Sequence, residues 1–380
     1  MKVIRSFKKI ISENKGYHQG DTKLIIVIFA ILTFGLICLS SSSSVVAYAK
    51  FGDAYHYFKN QLLGLSLGLM AFYFFSRVDY RIWKKYAFGF LLFSIVLLTL
   101  VFIPGLGGDW GTSKSWINVF GHSLQPAEFV KLSFLLYLAA WLEARKSKLD
   151  DFHKGIGPFV VILGIICLLM LLQPDIGTLS IIAAVSLIVY FVAGGKKTHI
   201  FSIIIFGILC LVLLVQFRPY QLNRFKCMMN PDFSKHEICY QTNQSLIAVG
   251  SGGFLGRGLG ESRQKYMYLP EVSGDSIFAV IAEETGFIVS CLFILAYLFL
   301  FYRSCLVSKY APDDFGKILA IGIGSWITIQ AVVNIGGIIN ILPMTGVPLP
   351  LVSYGGTALL ATLAACGVLV NISKQTKNFR

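Results

Sequence analysis

Three acidic residues stand at the start of a long apolar run in the C-terminal half of the chain. Asp275 precedes the run, and Glu283 and Glu284 lie in its first part. A membrane span of about 20 residues counted back from Tyr302 reaches only Glu283, so we expect Asp275 one or two turns further out. On a continuous helix Asp275 and Glu283 would be about 12 Å apart, too far to share a proton. Asp275 would act alone or with a carboxylate from another segment; alternatively, these acids only cap a helix N-terminus.

A second pair of charges lies inside an otherwise apolar helix. Glu128 and Lys131 are three residues apart and therefore share one helix face. Charges buried in a membrane are costly and usually mark a cavity or a substrate path. The alternative is a structural bridge between helices.

Other polar groups are expected on the same side of the membrane. Asp175 lies in a tight turn between two apolar runs, a Pro-rich turn occupies 342–350, and a turn with two glycines occupies 353–357. Cations are supplied there by Arg218, Arg224 and Lys265. An acid, cations and amide-rich loops at one membrane face suit a lipid-linked anionic substrate.

The segment 250–260 is rich in glycine and could suggest a phosphate-binding loop. It lacks a following Lys-Ser or Lys-Thr and a preceding strand pattern. We expect a flexible or re-entrant stretch that lies on the membrane.

The elements that must position these groups are membrane helices. With 56% hydrophobic and 14% charged residues, the chain is too apolar for an ordinary soluble domain. We predict an all-α integral membrane protein, a polytopic bundle of about ten transmembrane helices in one domain over 1–380. The predicted spans are 24–40, 58–76, 86–103, 126–143, 157–172, 177–193, 199–217, 276–302, 316–340 and 357–372.

The distribution of basic residues predicts the orientation. With the N-terminus inside, 22 of the 33 Lys and Arg residues fall on the cytoplasmic side. Residues 1–23 are then a cytoplasmic tail, both termini are cytoplasmic, and 218–275 is a large extracytoplasmic loop between helices 7 and 8. The net charge of +14 is thus a topology signal, and no nucleic-acid partner is expected. The run before Ala47-Tyr48-Ala49 resembles a signal peptide, but an uncleaved first helix is preferred because nine spans follow.

The cysteines and histidines suggest little chemistry. Cys227 and Cys239 share the long outer loop, and whether they form a disulfide is left open. The six histidines are dispersed, so no protein-built zinc site is expected.

Taken together, five motifs in order resemble the SEDS family of bacterial membrane glycosyltransferases, which includes FtsW, RodA and SpoVE. The segment from Lys114 to Lys131 is similar to the family's Arg-Trp-Ile…Gln-Pro-Ser-Glu…Lys signature, and 173–178 matches its Gln-Pro-Asp-Phe/Leu-Gly-Thr turn. The remaining matches are 240–260, 262–271 and 342–360. The run 262–271 favours the division members over the elongation members.

The resemblance implies a peptidoglycan glycosyltransferase that joins lipid II into β-1,4-linked strands with inversion, during septal cell-wall synthesis. Asp275 falls on the family's catalytic Asp and would be the general base. Cations must stabilise the leaving pyrophosphate, and Lys131, Arg224 and Lys265 are the candidates. No built-in cofactor is expected, although a divalent cation, Mg²⁺ or Mn²⁺, could bind mainly through the phosphates. The candidate substrate-binding residues are Glu128, Lys131, Asp175, Arg224, Gln244, Lys265 and Ser353.

The resemblance also implies partners and a location. These are a class B penicillin-binding protein transpeptidase, other divisome proteins and the bacterial plasma membrane at the septum. Two departures leave details open. Ser273-Gly274-Asp275-Ser276 replaces His-Thr-Asp-Phe, and Lys114-Ser115 replaces the Arg before Trp. The alternatives are an elongation-type polymerase, a lipid II flippase and a scaffold without catalysis.

Overall fold

The computed structural model describes residues 20–103, 107–110, 113–119, 122–217, 219–234 and 237–376. Each of the ten predicted spans falls on one of ten long helices, which confirms the helical membrane fold. In chain order, these are α1 Thr22–Phe51, α2 His56–Arg77, α4 Ala87–Leu100, α5 Pro126–Ala144, α6 Gly157–Leu172, α7 Ile176–Val192, α8 Lys197–Phe217, α11 Ile277–Lys309, α12 Asp314–Ile338 and α13 Gly356–Lys374. Among the described residues, five segments are long and apolar enough to cross a membrane by themselves: α1, Phe152–Leu172, α11, α12 and α13.

Shorter elements join these helices. They are α3 Arg81–Lys85, α9 Pro219–Met229, α10 Tyr240–Ser251, and three strands, β1 Gly107–Trp110, β2 Ser113–Val119 and β3 His122–Leu124. The strands form one antiparallel sheet in the order β1-β2-β3. The sequence reading predicted no sheet at this position.

The first helix is longer than predicted because its serine-rich end stays helical. Ser42 and Ser44 donate their hydroxyls to the carbonyls of Leu39 and Ser41, at 3.4 and 2.9 Å, so these side chains bond within the helix. Gly52, at φ 69°, ends it by donating its N–H to Tyr48 O at 2.8 Å. Ala47-Tyr48-Ala49 therefore lies within α1.

Small residues bring α2 and α13 unusually close. A Cβ added to Gly64 would lie 2.6 Å from Gly356 Cα, and one added to Gly367 would lie 2.6 Å from Phe72 O. Backbones approach this closely in membrane bundles only where side chains are absent or small. The start of α13 is thereby fixed against α2.

The prediction of a continuous helix through 276–302 is wrong, because α11 is broken at Gly286, with φ 77° and ψ −177°. The glycine-rich run fills the break. Arg257 and Gly258 donate their N–H groups to the carbonyls of Glu283 and Glu284, both at 3.0 Å. Beyond the break, the N–H groups of residues 287 and 288 donate to the carbonyls of residues 253 and 254 at 2.9 and 3.3 Å.

This docking explains the glycines. The expectation was a flexible or re-entrant stretch, and the flexible alternative is wrong because the run is hydrogen-bonded to α11. A Cβ on Gly256 would lie 2.2 Å from Glu284 O, and one on Gly286 would lie 2.2 Å from Gly256 N. The interrupted helix regains the hydrogen bonds that it lost, as buried backbone must.

Candidate active site

A cavity of about 580 Å³ opens where one set of helix ends meets. Its lining comes from the ends of α1 and α8, the starts of α2, α7 and α13, the sheet, α9 and the loops before α11 and α13. The charged lining residues are Lys50, Asp175, Arg224, Glu271 and Asp275. The aromatic lining residues are Tyr57, Trp116, Tyr220, Phe225 and Tyr354. Such a mixture of charges and flat apolar rings can hold a sugar that carries a phosphate.

Asp275 lies in the turn before α11. Its Oδ1 is 3.5 Å from Gln241 Nε2, and its main-chain carbonyl accepts a hydrogen bond from Asn334 Nδ2 at 2.7 Å. Removal from water, together with the nearby Glu271 carboxylate, raises the pKa of Asp275 to about 6, although Arg224 acts in the opposite direction. A carboxylate with its pKa near the working pH is a better proton acceptor than an ordinary aspartate.

The turn that carries Asp275 is held by the Pro-rich loop before α13. Tyr354 donates its N–H to Ser273 O at 2.8 Å, and Ser353 donates its hydroxyl to Gly274 O at 2.6 Å. Ser353 Oγ also accepts the N–H of Leu349 at 2.8 Å. Ser353, a candidate substrate-binding residue, thus fixes the backbone next to Asp275 and is outside the described lining of the cavity.

Arg224 comes from α9 and approaches Asp275 across Gly346. Its Nη1 donates to Met344 O at 2.5 Å, and its Nη2 donates to the Tyr220 hydroxyl. The position of a Cβ on Gly346 would be 3.5 Å from Asp275 Oδ2 and 3.8 Å from Arg224 Nη2. The predicted base and one predicted cation therefore border the same small gap.

Asp175 joins them from the N-terminus of α7. Its Oδ1 accepts the N–H of Thr178 at 3.0 Å, which caps the helix. Its Oδ2 is buried and has no hydrogen-bond partner within the described residues. Asp175 as a whole is half-buried and lines the cavity.

Glu128 and Lys131 form the predicted ion pair at 2.7 Å, and both residues are buried, Glu128 with 0% and Lys131 with 4% of its surface exposed. Lys131 Nζ also donates to Gln330 Oε1 at 2.6 Å and lies 5.1 Å from the ring centre of Trp326. Gln330 Nε2 donates in turn to Pro348 O at 2.8 Å, and Pro348 lines the cavity. The pair is outside the described lining and supports the Pro-rich loop from behind.

Lys265 is committed to a second polar cluster. Its Nζ donates to Glu284 Oε1 at 3.0 Å, Ser41 Oγ at 3.1 Å and Gly260 O at 2.5 Å, and only 3% of the residue is exposed. Glu283 accepts the Ser262 hydroxyl at 2.5 Å in the same region. These contacts hold the loop after the glycine-rich run against α1 and α11.

Gln244 lies half-buried on α10 and is outside the described lining of the cavity. Of the other residues named from the sequence, Arg218 and the side chain of Lys114 lie outside the described part of the chain. Cys227 and Cys239 form a disulfide in the structure.

Four site residues were missed by the sequence reading. Gln241 lies one turn before Gln244 and is the amide of α10 that reaches Asp275. Glu271 and Lys50 line the cavity without having been named as candidates. The fourth is Asn334, which could have been found from the sequence. It follows Gln330 by four residues, so the two amides share one face of a mainly apolar span.

Comparisons with known proteins show which family the chain is similar to. Stage V sporulation protein E of Bacillus subtilis is 39% identical over 94% of this chain and 98% of its own length. A protein of Trichlorobacter lovleyi named "Probable peptidoglycan glycosyltransferase FtsW" is 38% identical over 94% of both chains.

Solved structures show the same fold. A chain of the structure described as "Structural coordination of polymerization and crosslinking by a peptidoglycan synthase complex" has a TM-score of 0.76 and 26% identity, covering 93% of this chain and 97% of that one. The rod shape determining protein RodA of Thermus thermophilus has a TM-score of 0.69 and 24% identity over 94% and 97%, which supports the fold alone. The family model of FtsW, RodA and SpoVE, described as "Cell cycle protein", matches residues 22–378, and the chain belongs to that family.

Proposed function

We propose that this membrane protein is a peptidoglycan glycosyltransferase that polymerises lipid II, an undecaprenyl-pyrophosphate-linked disaccharide-pentapeptide. The observation that carries the proposal is the placement of Asp275 next to Arg224 in one large cavity at one end of the helix bundle. A base and a cation that border one gap fit a reaction in which a hydroxyl attacks and a pyrophosphate leaves. Curated relatives named as peptidoglycan glycosyltransferases support it.

In this reaction Asp275 takes the proton from the acceptor hydroxyl as that oxygen attacks the anomeric carbon of the donor sugar. Attack from the face opposite the pyrophosphate turns the α-linked donor into a β-1,4 linkage. Arg224 neutralises the charge that develops on the departing pyrophosphate. Asp175, at the wall of the same cavity, orients the bound sugar.

The other predicted cations act differently. Lys131 and Lys265 are paired with Glu128 and Glu284, so we assign them to holding the loops that shape the cavity. Lys50 at the end of α1 is a second cation in the lining. Within the described residues no three His, Cys, Asp or Glu side chains group to hold a metal. In the proposal a divalent cation, Mg²⁺ or Mn²⁺, would bind mainly through the phosphates of the substrate.

The orientation and partners belong to the same proposal. The cavity lies at the helix ends opposite those that are rich in Lys and Arg, and the positive-inside rule supports a location on the outer face of the plasma membrane. Lipid II presents its sugars there. Similarity to a chain of a peptidoglycan synthase complex supports a class B penicillin-binding protein as partner, and the relatives named FtsW support a septal role.

The test is incubation of the purified protein with fluorescent lipid II, with and without that partner. Glycan strands on a gel support the proposal. Transport of lipid II without polymer would favour a flippase. A variant with Asp175, Arg224 and Asp275 all neutralised that still supports growth would favour a scaffold.

A further inference from the structure

The disulfide joins two short helices that reach the cavity from the same loop. Cys227 lies in the last turn of α9, and Cys239 immediately precedes α10. Arg224 is three residues before Cys227 on α9, and Gln241 is two residues after Cys239. The bond therefore connects the backbone segments that carry these two side chains.

The helix α9 has few other attachments. Within the described side chains of 220–229, Cys227 is the one that is buried, with 3% exposed. Two polar contacts tie α9 to the Pro-rich loop and the end of α12: Arg224 to Met344 O at 2.5 Å, and Asn340 Nδ2 to Met228 O at 3.0 Å. Leu222 and Phe225 are only partly buried, so α9 gains less from packing than a helix with a fully buried apolar face.

By contrast, α10 is fixed to the body of the protein. Its Thr242, Ser245 and Ala248 are buried, and Gln241 donates to Ser276 Oγ at 3.0 Å. Cys239 is 0% exposed. The disulfide thus connects a weakly attached helix to a firmly attached one.

We propose that Cys227 and Cys239 are positioning residues whose bond holds Arg224 of α9 across from Asp275. When the bond is opened, α9 is free to move away, and the cavity loses the cation that faces the leaving pyrophosphate. This inference rests on the proposed function for its catalytic readout, while its binding readout is independent of polymerisation.

The experiment compares the oxidised protein, the same protein reduced with dithiothreitol, and the Cys227→Ala/Cys239→Ala variant. Dithiothreitol supplies two electrons and two protons, closes its own disulfide and converts the bond into two thiols. We expect the initial rate of lipid II polymerisation to fall about tenfold or more in both altered forms, since small displacements of a positioning group are costly. We also expect weaker binding of undecaprenyl pyrophosphate.

A pH profile separates positioning from simple stabilisation. The charged groups that line the cavity around Asp275 are Arg224 on α9, Glu271 in the same turn, Asp175 on α7 and Lys50 on α1. Arg224 lowers the pKa of Asp275, so its departure should move the acid limb of the rate profile to higher pH. If the disulfide only stabilised the fold, its loss would lower the melting temperature and leave this midpoint unchanged.

Two controls complete the design. Cys210→Ala removes an exposed thiol that is free in the structure and should leave rate, binding and midpoint unchanged. Arg224→Ala should lose most of its effect in the variant without the disulfide, because both changes remove the same cation.

The outcomes separate the two proposals. If the oxidised protein makes no polymer yet binds undecaprenyl pyrophosphate more tightly than the reduced form, the positioning inference stands and the proposed function fails. Equal binding in the oxidised, reduced and double-variant forms, or effects of Arg224→Ala that add fully to those of the cysteine changes, overturns the inference.

Discussion

Removal of one partner of the Glu128–Lys131 ion pair should destabilise the protein more than removal of both partners. Both side chains are almost completely buried at 2.7 Å from each other. Removal of one partner from such a pair leaves a charge without compensation, at a typical cost of about 3–5 kcal/mol. Lys131 keeps a hydrogen bond to Gln330, so Glu128→Ala should be at the lower end of this range.

The perturbation is a double-mutant cycle with Glu128→Ala, Lys131→Ala and the double variant. Because the double variant leaves no unpaired charge at this position, it should unfold at a higher temperature than either single variant. The expected coupling is about 1–3 kcal/mol, which is the range found for residues in contact. Thermal unfolding of each variant, purified in the same detergent, measures it.

A matched control is Lys59→Ala, because Lys59 pairs with Asp53 at the same 2.7 Å while 66% and 39% of the two side chains are exposed. Exposed pairs are typically worth less than about 1 kcal/mol, so this change should have little effect. Strictly additive losses for Glu128 and Lys131 would refute the reasoning that the two charges compensate each other.

Other predictions concern the base, the broken helix and the orientation. The initial rate of polymerisation should rise with pH as Asp275 deprotonates, with a midpoint near the Asp275 pKa of about 6. The negative charge of Glu271 raises this pKa. In Glu271→Gln the midpoint of the rate profile should therefore move to lower pH. Gly256→Ala should destabilise the protein by roughly 1–3 kcal/mol in thermal unfolding, because its φ is 81° and its Cβ would meet a carbonyl of α11. Of two cysteines placed at Lys114 and Lys148, only the one at 114 should react with an impermeant thiol reagent in intact cells. Labelling at 148 would contradict the predicted orientation.

The sequence predicted the helices well because a membrane span is specified by local composition. Each apolar run became a helix near the expected place. The break at Gly286 was missed because hydropathy does not record a backbone conformation. The hydrogen bonds that satisfy this break come from residues 253–258, far enough along the chain to leave no local pattern.

The site was predicted in part, for a related reason. Asp275, Arg224 and Asp175 were expected on one face and do line one cavity. Lys265 looked like a free cation because its partners, Glu284 and Ser41, come from two other helices. Gln241 and Asn334 are neutral amides, so no charge marks either of them in the sequence.

The central claim is that Asp275 accepts the proton in glycan polymerisation, and Asp275→Asn tests it most directly. Asparagine has nearly the same shape, so folding should survive, and the main-chain bond from Asn334 does not depend on the side chain. General-base assistance is commonly worth about 10²–10⁴-fold. We therefore predict normal thermal stability and lipid II binding but no detectable glycan strands on a gel. Strands made at the wild-type rate by Asp275→Asn would contradict the proposed mechanism.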